Sequence, residues 1–257
     1  MERLLVNPKY KDLFATQRWD NFERIAAHFL PRTNRSRAVI VQPVNIPTAG
    51  SAITAFFKQY DHGSEQWRFW FRASKARREF ENYATLMQLG VSAAEPIACG
   101  EQRDILGRAR RAFLITRAVP DARTLIEFFR SEPSPQERKQ VIRELAQIVR
   151  CLHEAHFYYY DLVWRNILVS RQNDGALKLF LIDCPRGGFV RFGRARKRLR
   201  DLASLDKSAA QWCSRTERLQ FLKLYLGEQK MTARVRNLAR ACVEYRRTRW
   251  PEDWRGK

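Results

Sequence analysis

The stretch from Tyr159 to Asp183 constrains this chain more than any other. Ile167 to Ser170 is a β-prone run, Asn173-Asp174-Gly175 supplies turn residues, and Leu177 to Ile182 is a second apolar run. Two such runs around a turn read as a β-hairpin. The midpoint of 166 and 183 falls between Asp174 and Gly175, so a symmetric hairpin sets Asn166 opposite Asp183 at its open end. Facing residues on paired strands lie roughly 5 Å apart at Cα. An amide oxygen and a carboxylate at that spacing suit a hard cation such as Mg²⁺. Asp161 stands on the loop leading into the same end, so a carboxylate base and a metal pair converge. That combination fits phosphoryl transfer, which needs positioning and charge neutralisation more than covalent chemistry. Taken singly, each residue has a plainer reading: Asp161 as a loop carboxylate on backbone amides, Asn166 as a turn residue, Asp183 as a hairpin-end carboxylate.

Asp161, then Asn166 five residues on, then a hairpin and Asp183 is also the pattern of a protein-kinase-like catalytic core. The wider context is more specific. Leu152-His153-Glu154-Ala155-His156-Phe157, Arg165-Asn166-Ile167-Leu168-Val169, Arg198 to Leu205 and Ser214 to Tyr225 resemble the bacterial lipopolysaccharide core kinases, the Kdo and heptose kinases. The resemblance runs from about Ile53 to Leu226. It implies an α+β, two-lobed protein-kinase-like fold, with a small sheet-rich N-lobe and a mainly helical C-lobe. It further implies ATP and Mg²⁺ as cofactors and a sugar hydroxyl of the inner core as acceptor. In that reading Asp161 is the catalytic carboxylate, and Asn166 and Asp183 hold the metal. The sequence departs from the wider kinase pattern in three places. Tyr159 and Tyr160 stand where many kinases carry His-Arg, Asp183 is followed by Cys184-Pro185, and Val41 to Ser51 holds only Gly50 where a glycine-rich loop is expected.

Upstream, Arg37 to Gln42 and Ala52 to Gln59 read as strands, with Lys58 near the end of the second. A strand lysine reaching nucleotide phosphates belongs to the kinase pattern; a solvated lysine is the competing reading. Arg78 to Leu89 reads as a helix stopped by Gly90. Glu79, Tyr83 and Leu86 fall on one of its faces, so Glu79 is the candidate partner for Lys58. Glu81 points about 160° away. The bland alternative leaves Glu79 a surface carboxylate among arginines. Phe113 to Thr116 suits the last strand of the small lobe. Ser134-Pro135-Gln136-Glu137 is a capping box with proline at the first helical position. It opens a helix whose stripe Val141, Leu145, Ile148 and Leu152 is packing.

Other features have two readings. Asp201 either caps the helix beginning near Leu202 or binds the catalytic-loop backbone; both are structural. His153 and His156 lack a second Cys/His cluster that would support zinc, so they read as packing or loop hydrogen bonding. The basic run Arg191, Arg194, Arg196, Lys197, Arg198 and Arg200 either holds anionic groups of the acceptor or is a solvated charge run. Trp67 to Arg72 is aromatic and basic, which suits interfacial docking or local packing equally.

With 257 residues and 45% hydrophobic content, one kinase-like domain is accommodated: residues 1–31 as an N-terminal extension, 32–118 as the N-lobe and 119–257 as the C-lobe. The candidate site is expected where the lobes meet. The formal net charge of +21 attracts polyanions. Five cysteines without a C-x-x-C pair fit buried thiols in a reducing cytosol. No signal peptide and no apolar run near the roughly 20 residues of a membrane span is visible. The expected setting is therefore cytoplasmic, peripheral at the cytoplasmic face of the inner membrane. Lipopolysaccharide core glycolipid is the expected acceptor, an anionic membrane surface the expected neighbour, and no nucleic acid is expected. The alternatives are a kinase for another small molecule or protein, a pseudokinase scaffold, and a basic nucleic-acid-binding protein, the last without a recognised binding motif.

Overall fold

A computed structural model describes residues 1–29, 39–48, 51–62 and 72–254. Ala49, Gly50 and the Trp67–Phe71 part of the aromatic-basic stretch lie outside the described residues. The chain divides into two compact units, Met1–Thr85 with Ala94–Ala118, and Leu86–Ala93 with Val119–Lys257.

The first unit is built on an antiparallel sheet of β1 (Glu2–Val6), β2 (Val39–Thr48), β3 (Ser51–Asp61), β4 (Pro96–Arg103) and β5 (Ala109–Arg117), in the order β1-β4-β5-β3-β2. Strand β2 runs through Pro43 and Pro47, beyond the Gln42 at which the sequence reading ends it. Proline is tolerated there because β2 is an edge strand, and two prolines four apart both direct their missing N–H the same way. Alternation along β3 divides its side chains between two faces. Ala55 and Phe57 enter the core, while Lys58 and Tyr60 share the parity of Phe56, two and four residues on, and so belong to the other face; the contacts below show where their polar ends go.

The core face is covered by α2 (Phe22–Phe29), which buries Phe22, Ile25, Ala26 and Phe29 at helical spacing. Phe29 stacks on Phe57 at 5.4 Å, and Phe57 on Phe113 at 5.5 Å. Gly100 is required beside Phe113, since a Cβ there would lie among the ring atoms. Residues ahead of β2, read from sequence as an extension, thus carry an edge strand, α1 (Lys11–Thr16) and part of this core. Helix α3 (Lys75–Gln88) begins in this unit, where Ser74 N donates to the buried Glu101 carboxylate at 2.6 Å. It starts three residues before the sequence reading.

The second unit contains α4 (Leu125–Arg130), α5 (Pro135–Glu154), α6 (Arg194–Ala209), α7 (Arg215–Leu226) and α8 (Ala233–Arg249). Its strands are β6 (Arg123–Thr124), β8 (Ile167–Arg171) and β9 (Leu177–Leu181) in one sheet, and β7 (Phe157–Tyr158) paired with β10 (Gly188–Phe189). Both halves of the Ser134–Glu137 capping box form, and Val141, Leu145, Ile148 and Leu152 are buried. All five cysteines are free thiols; Cys99, Cys184 and Cys242 are buried, and burial pushes the Cys242 thiol up to about 12.

Helices α5 and α7 are joined by Arg138, whose guanidinium takes both Glu217 oxygens at 2.6 and 2.9 Å. Glu217 also closes the capping box of Ser214. The Arg138 bond, assisted by Ser214 and against the effect of burial, lowers the Glu217 carboxyl to about 2 from an ordinary value of 4.5. A carboxyl depressed on folding stabilises the fold above its unfolded pKa, and that contribution disappears as pH falls toward the folded value. Glu217→Gln is therefore expected to lower stability by about 2 kcal/mol at neutral pH. Thermal melts should show the gap from the parent chain closing between pH 4.5 and about 2. A gap independent of pH would assign the loss to packing.

Candidate active site

Four of the five predicted site residues lie in two polar clusters, one in each unit, and Asp183 directly follows Ile182, whose N donates to Asn166 O. In the first unit, Lys58 Nζ lies 3.1 Å from Glu79 Oε2 and 3.4 Å from Oε1. Glu79 is buried, not a surface carboxylate, and also accepts from the Tyr60 hydroxyl at 2.5 Å and the Tyr83 hydroxyl at 2.7 Å. Tyr83 is one turn along α3 from Glu79, and Tyr60 is two residues along β3 from Lys58, so the two periodicities converge on one carboxylate. The ammonium also stands 5.1 Å from the Tyr60 ring centroid. A buried carboxylate with three donors fixes the lysine's position strongly. Glu81, the rejected partner, makes an exposed i,i+4 pair with Arg77. Tyr60 was not singled out from sequence; its shared parity with Lys58 was the available signal.

In the second unit, the chain turns between β7 and β8 through a loop carrying Asp161, then a 3₁₀ turn, Trp164–Asn166. Asn166 is buried and its Nδ2 donates to the Asp161 carbonyl at 2.9 Å. The loop is fixed from below by Asp201. Its oxygens accept from Tyr159 N at 2.8 Å and Tyr160 N at 2.9 Å. Asp201 is in the interior of α6 and fully buried, so it is a loop anchor and not the cap of a helix beginning at Leu202. His153 lies 3.5 Å from Asp201 and 3.0 Å from the Tyr225 hydroxyl, which gives it a hydrogen-bonding role. Among the described residues no group of three His, Cys, Asp or Glu side chains is arranged to hold a metal.

The hairpin forms with a different register. Ile167 pairs with Leu181, and Ile182 N donates to Asn166 O at 3.0 Å, so Ile182 and not Asp183 is opposite Asn166. The cause is the turn. Gln172 and Ala176 close it, and the Asp174 side chain accepts from Ala176 N at 2.9 Å, which centres the loop on residue 174. A one-residue displacement would send Asp183 to the other face of a regular strand. Asp183 instead adopts φ 62°, in the left-handed region, so the strand alternation stops there. The Tyr159 hydroxyl donates to Ile182 O at 2.6 Å, tying the residue before Asp183 to the residue two before Asp161. His156, Tyr160 and Asp183 account for three of six non-glycine residues with positive φ among the described residues. Each costs roughly 1–2 kcal/mol, and such strain concentrates where geometry is functional.

The Asp161 carboxylate is partly exposed and faces two guanidinium groups, Arg186 at 3.7 Å and Arg200 at 3.9 Å. Lys197 and Arg200 also stand over the Tyr160 ring at 4.7 and 5.2 Å. Of the basic run, Lys197 and Arg200 are thus near the loop, whereas Arg191, Arg194 and Arg196 are exposed. Arg186, outside that run, was not singled out from sequence.

The model of the lipopolysaccharide kinase (Kdo/WaaP) family matches residues 58–225, well over half of the chain. The chain belongs to this family. A 3-deoxy-D-manno-octulosonic acid kinase of Haemophilus influenzae (strain PittEE) is 27% identical over 124 residues, 47% of this chain and 50% of that protein. One from Vibrio parahaemolyticus serotype O3:K6 is 27% identical over 110 residues, 43% and 42% of the two chains. The chain spans about half the length of the curated relatives it matches, or less. A solved structure described as WaaP in complex with acyl carrier protein superposes with a TM-score of 0.66 at 20% identity, covering 96% of this chain and 97% of that one. That likeness establishes the protein-kinase-like fold, an antiparallel sheet followed by a mainly helical part. The family match begins at Lys58 and ends at Tyr225, the hydroxyl partner of His153.

Lys58→Ala and Glu79→Ala are expected to damage one step, since each removes half of one ion pair. The double variant should then lose little more than either single one, a coupling of about 2 kcal/mol in a double-mutant cycle on turnover. Additive losses would mean that the pair does not act as a unit.

Proposed function

We propose that the chain is an ATP-dependent kinase that phosphorylates a sugar hydroxyl of the lipopolysaccharide inner core, with Kdo favoured over heptose. The observation that carries this reading is the Asp161 loop: a partly exposed carboxylate whose backbone is fixed at both ends by buried Asp201 and Asn166. Asp161 accepts or orients the proton of the attacking hydroxyl. A loose transition state demands little basicity from it and much positional accuracy. Lys58, oriented by Glu79, contacts nucleotide phosphates.

The donor chemistry of Asn166 and Asp183 fits Mg²⁺. With Nδ2 committed to the Asp161 carbonyl, Asn166 retains its amide oxygen as a hard donor, and Asp183 adds a carboxylate. Mg²⁺ commonly takes one or two such protein oxygens together with phosphates and water. When bound, it would neutralise charge on the phosphates. Arg186 and Arg200 support an anionic acceptor. Kdo carries a carboxylate, which a guanidinium recognises well; an unmodified heptose carries none. The Haemophilus and Vibrio relatives are named as Kdo kinases, in keeping with this preference. The +21 charge supports work at an anionic membrane surface, peripheral at the cytoplasmic face of the inner membrane. No helix of the described residues is long and apolar enough to cross a membrane.

The test is transfer of labelled phosphate from ATP to purified core acceptor, with the product mapped by mass spectrometry. Phosphate on a Kdo hydroxyl is the expected result, and phosphate on heptose would shift the acceptor assignment. If no core acceptor is labelled while a defined nucleic acid binds specifically at physiological salt, the basic-binder reading replaces this one.

A further inference from the structure

The segment that joins Asp183 to Asp201 contains seven cationic side chains and no carboxylate. At its centre, Phe189 and Phe192 are 63% and 87% exposed. Phe189 has one edge against Phe157 at 5.5 Å, with its remaining surface outward. Arg191, Gly193, Arg194, Ala195 and Arg196 are exposed beside them. Adjacent exposed aromatics within a basic rim mark an interaction surface, not the scattered apolar exposure of an ordinary surface.

The local energetics give a second, independent observation. Helix α6 opens at Gly193 without a side-chain cap and without an acidic residue in its first turn, while Arg194, Arg196, Lys197 and Arg198 crowd that turn. A helix N-terminus carries partial positive charge, so this arrangement repels itself and opposes the helix dipole. Arg194 Nε donates to the Val190 carbonyl at 3.2 Å, but the segment holds no carboxylate to offset the repulsion; an external anionic surface would. Another exposed apolar tip differs on this point. Ile105 and Leu106 are exposed between β4 and β5, but the neighbouring Arg108 and Arg110 both pair with Asp104.

We propose that Phe189 and Phe192, with Arg191, Arg194 and Arg196, form a docking element that inserts its two rings into the interfacial region of an anionic bilayer. Aromatic rings partition at the headgroup boundary, and each nearby arginine adds attraction to acidic lipid. The element continues directly into Lys197 and Arg200, which adjoin Tyr160 and Asp161. Docking therefore holds the acceptor-side loop at the level where a lipid-anchored sugar emerges. That purpose rests on the kinase reading; the docking does not, because it is measured without nucleotide or acceptor.

The full chain should co-sediment with phosphatidylcholine vesicles containing phosphatidylglycerol, and only weakly with phosphatidylcholine alone. Phe192→Ser should lower partition to the anionic vesicles by about tenfold. Arg191→Gln, Arg194→Gln and Arg196→Gln should each lower it by about fivefold. Ile105→Ser should leave it unchanged. Phe192→Trp provides a readout of insertion itself: the added fluorescence should shift to the blue on anionic vesicles. Phe192 is exposed, so these variants leave the core intact. Undiminished partition of Phe192→Ser with no blue shift of Phe192→Trp would overturn the proposal in favour of diffuse electrostatic attraction. Absence of vesicle binding by the parent chain would also overturn it, whether or not the chain transfers phosphate.

Discussion

Asp161→Asn is expected to lower turnover about a thousandfold while nucleotide affinity stays close to that of the parent chain. The substitution preserves side-chain volume. It also leaves the loop's supports in place, because Asn166 bonds the Asp161 backbone carbonyl and Asp201 holds the amides of Tyr159 and Tyr160. What is lost is the carboxylate's negative charge and, in the proposed mechanism, its capacity to accept the hydroxyl proton. A second consequence follows from Arg186 and Arg200, whose nearest distances to the carboxylate are 3.7 and 3.9 Å. Removing that charge leaves two guanidinium groups more available to an anionic acceptor, so KM for acceptor should stay level or fall as kcat collapses. Stopped-flow nucleotide binding and steady-state transfer assays measure the two effects separately. Near-normal kcat in the purified variant would remove Asp161 from the chemistry. A rise in acceptor KM would count against the arginines as acceptor contacts.

Much of this arrangement is legible in local sequence, and the missing parts have physical causes. The α5 stripe and its capping box follow from helical period and end chemistry alone, and they form as read. Glu79 is selected by the face it shares with Tyr83 and Leu86. The hairpin is recognisable from its apolar runs and turn residues, but register is less secure. The Asp174 side chain fixes the turn around residue 174, and one residue of displacement is enough to pair Asn166 with Ile182. Strand β1 was not legible because its pairing is with β4, about a hundred residues away. The same holds for Asp201. From sequence it is a helix cap or a loop anchor, and only tertiary placement in the middle of α6, against the amides of Tyr159 and Tyr160, separates the two. Arg186 carries no local signal at all; its position depends on the turn that follows Asp183.

The left-handed backbone at Asp183 determines how its role is best tested. At φ 62° an alanine would add conformational strain of roughly 1–2 kcal/mol, confusing loss of a carboxylate with loss of a backbone geometry. Asparagine tolerates this region well, so Asp183→Asn removes charge while the chain keeps its course. Its folding stability is expected to remain within about 1 kcal/mol of the parent. If Asp183 supplies a charged oxygen to Mg²⁺ beside the Asn166 amide, the variant retains only neutral donors. Affinity for Mg-ATP should then fall at least about tenfold and turnover about a thousandfold, and raised Mg²⁺ should recover part of the binding. Affinity for ATP measured in chelator should change little, since the lost interaction runs through the cation. Calorimetry with and without Mg²⁺ separates these outcomes. Equal loss in both conditions would assign Asp183 to the shape of the hairpin end. Unchanged Mg-ATP binding together with unchanged turnover would remove it from the metal pair, leaving Asn166 to be explained by its bond to the Asp161 carbonyl alone.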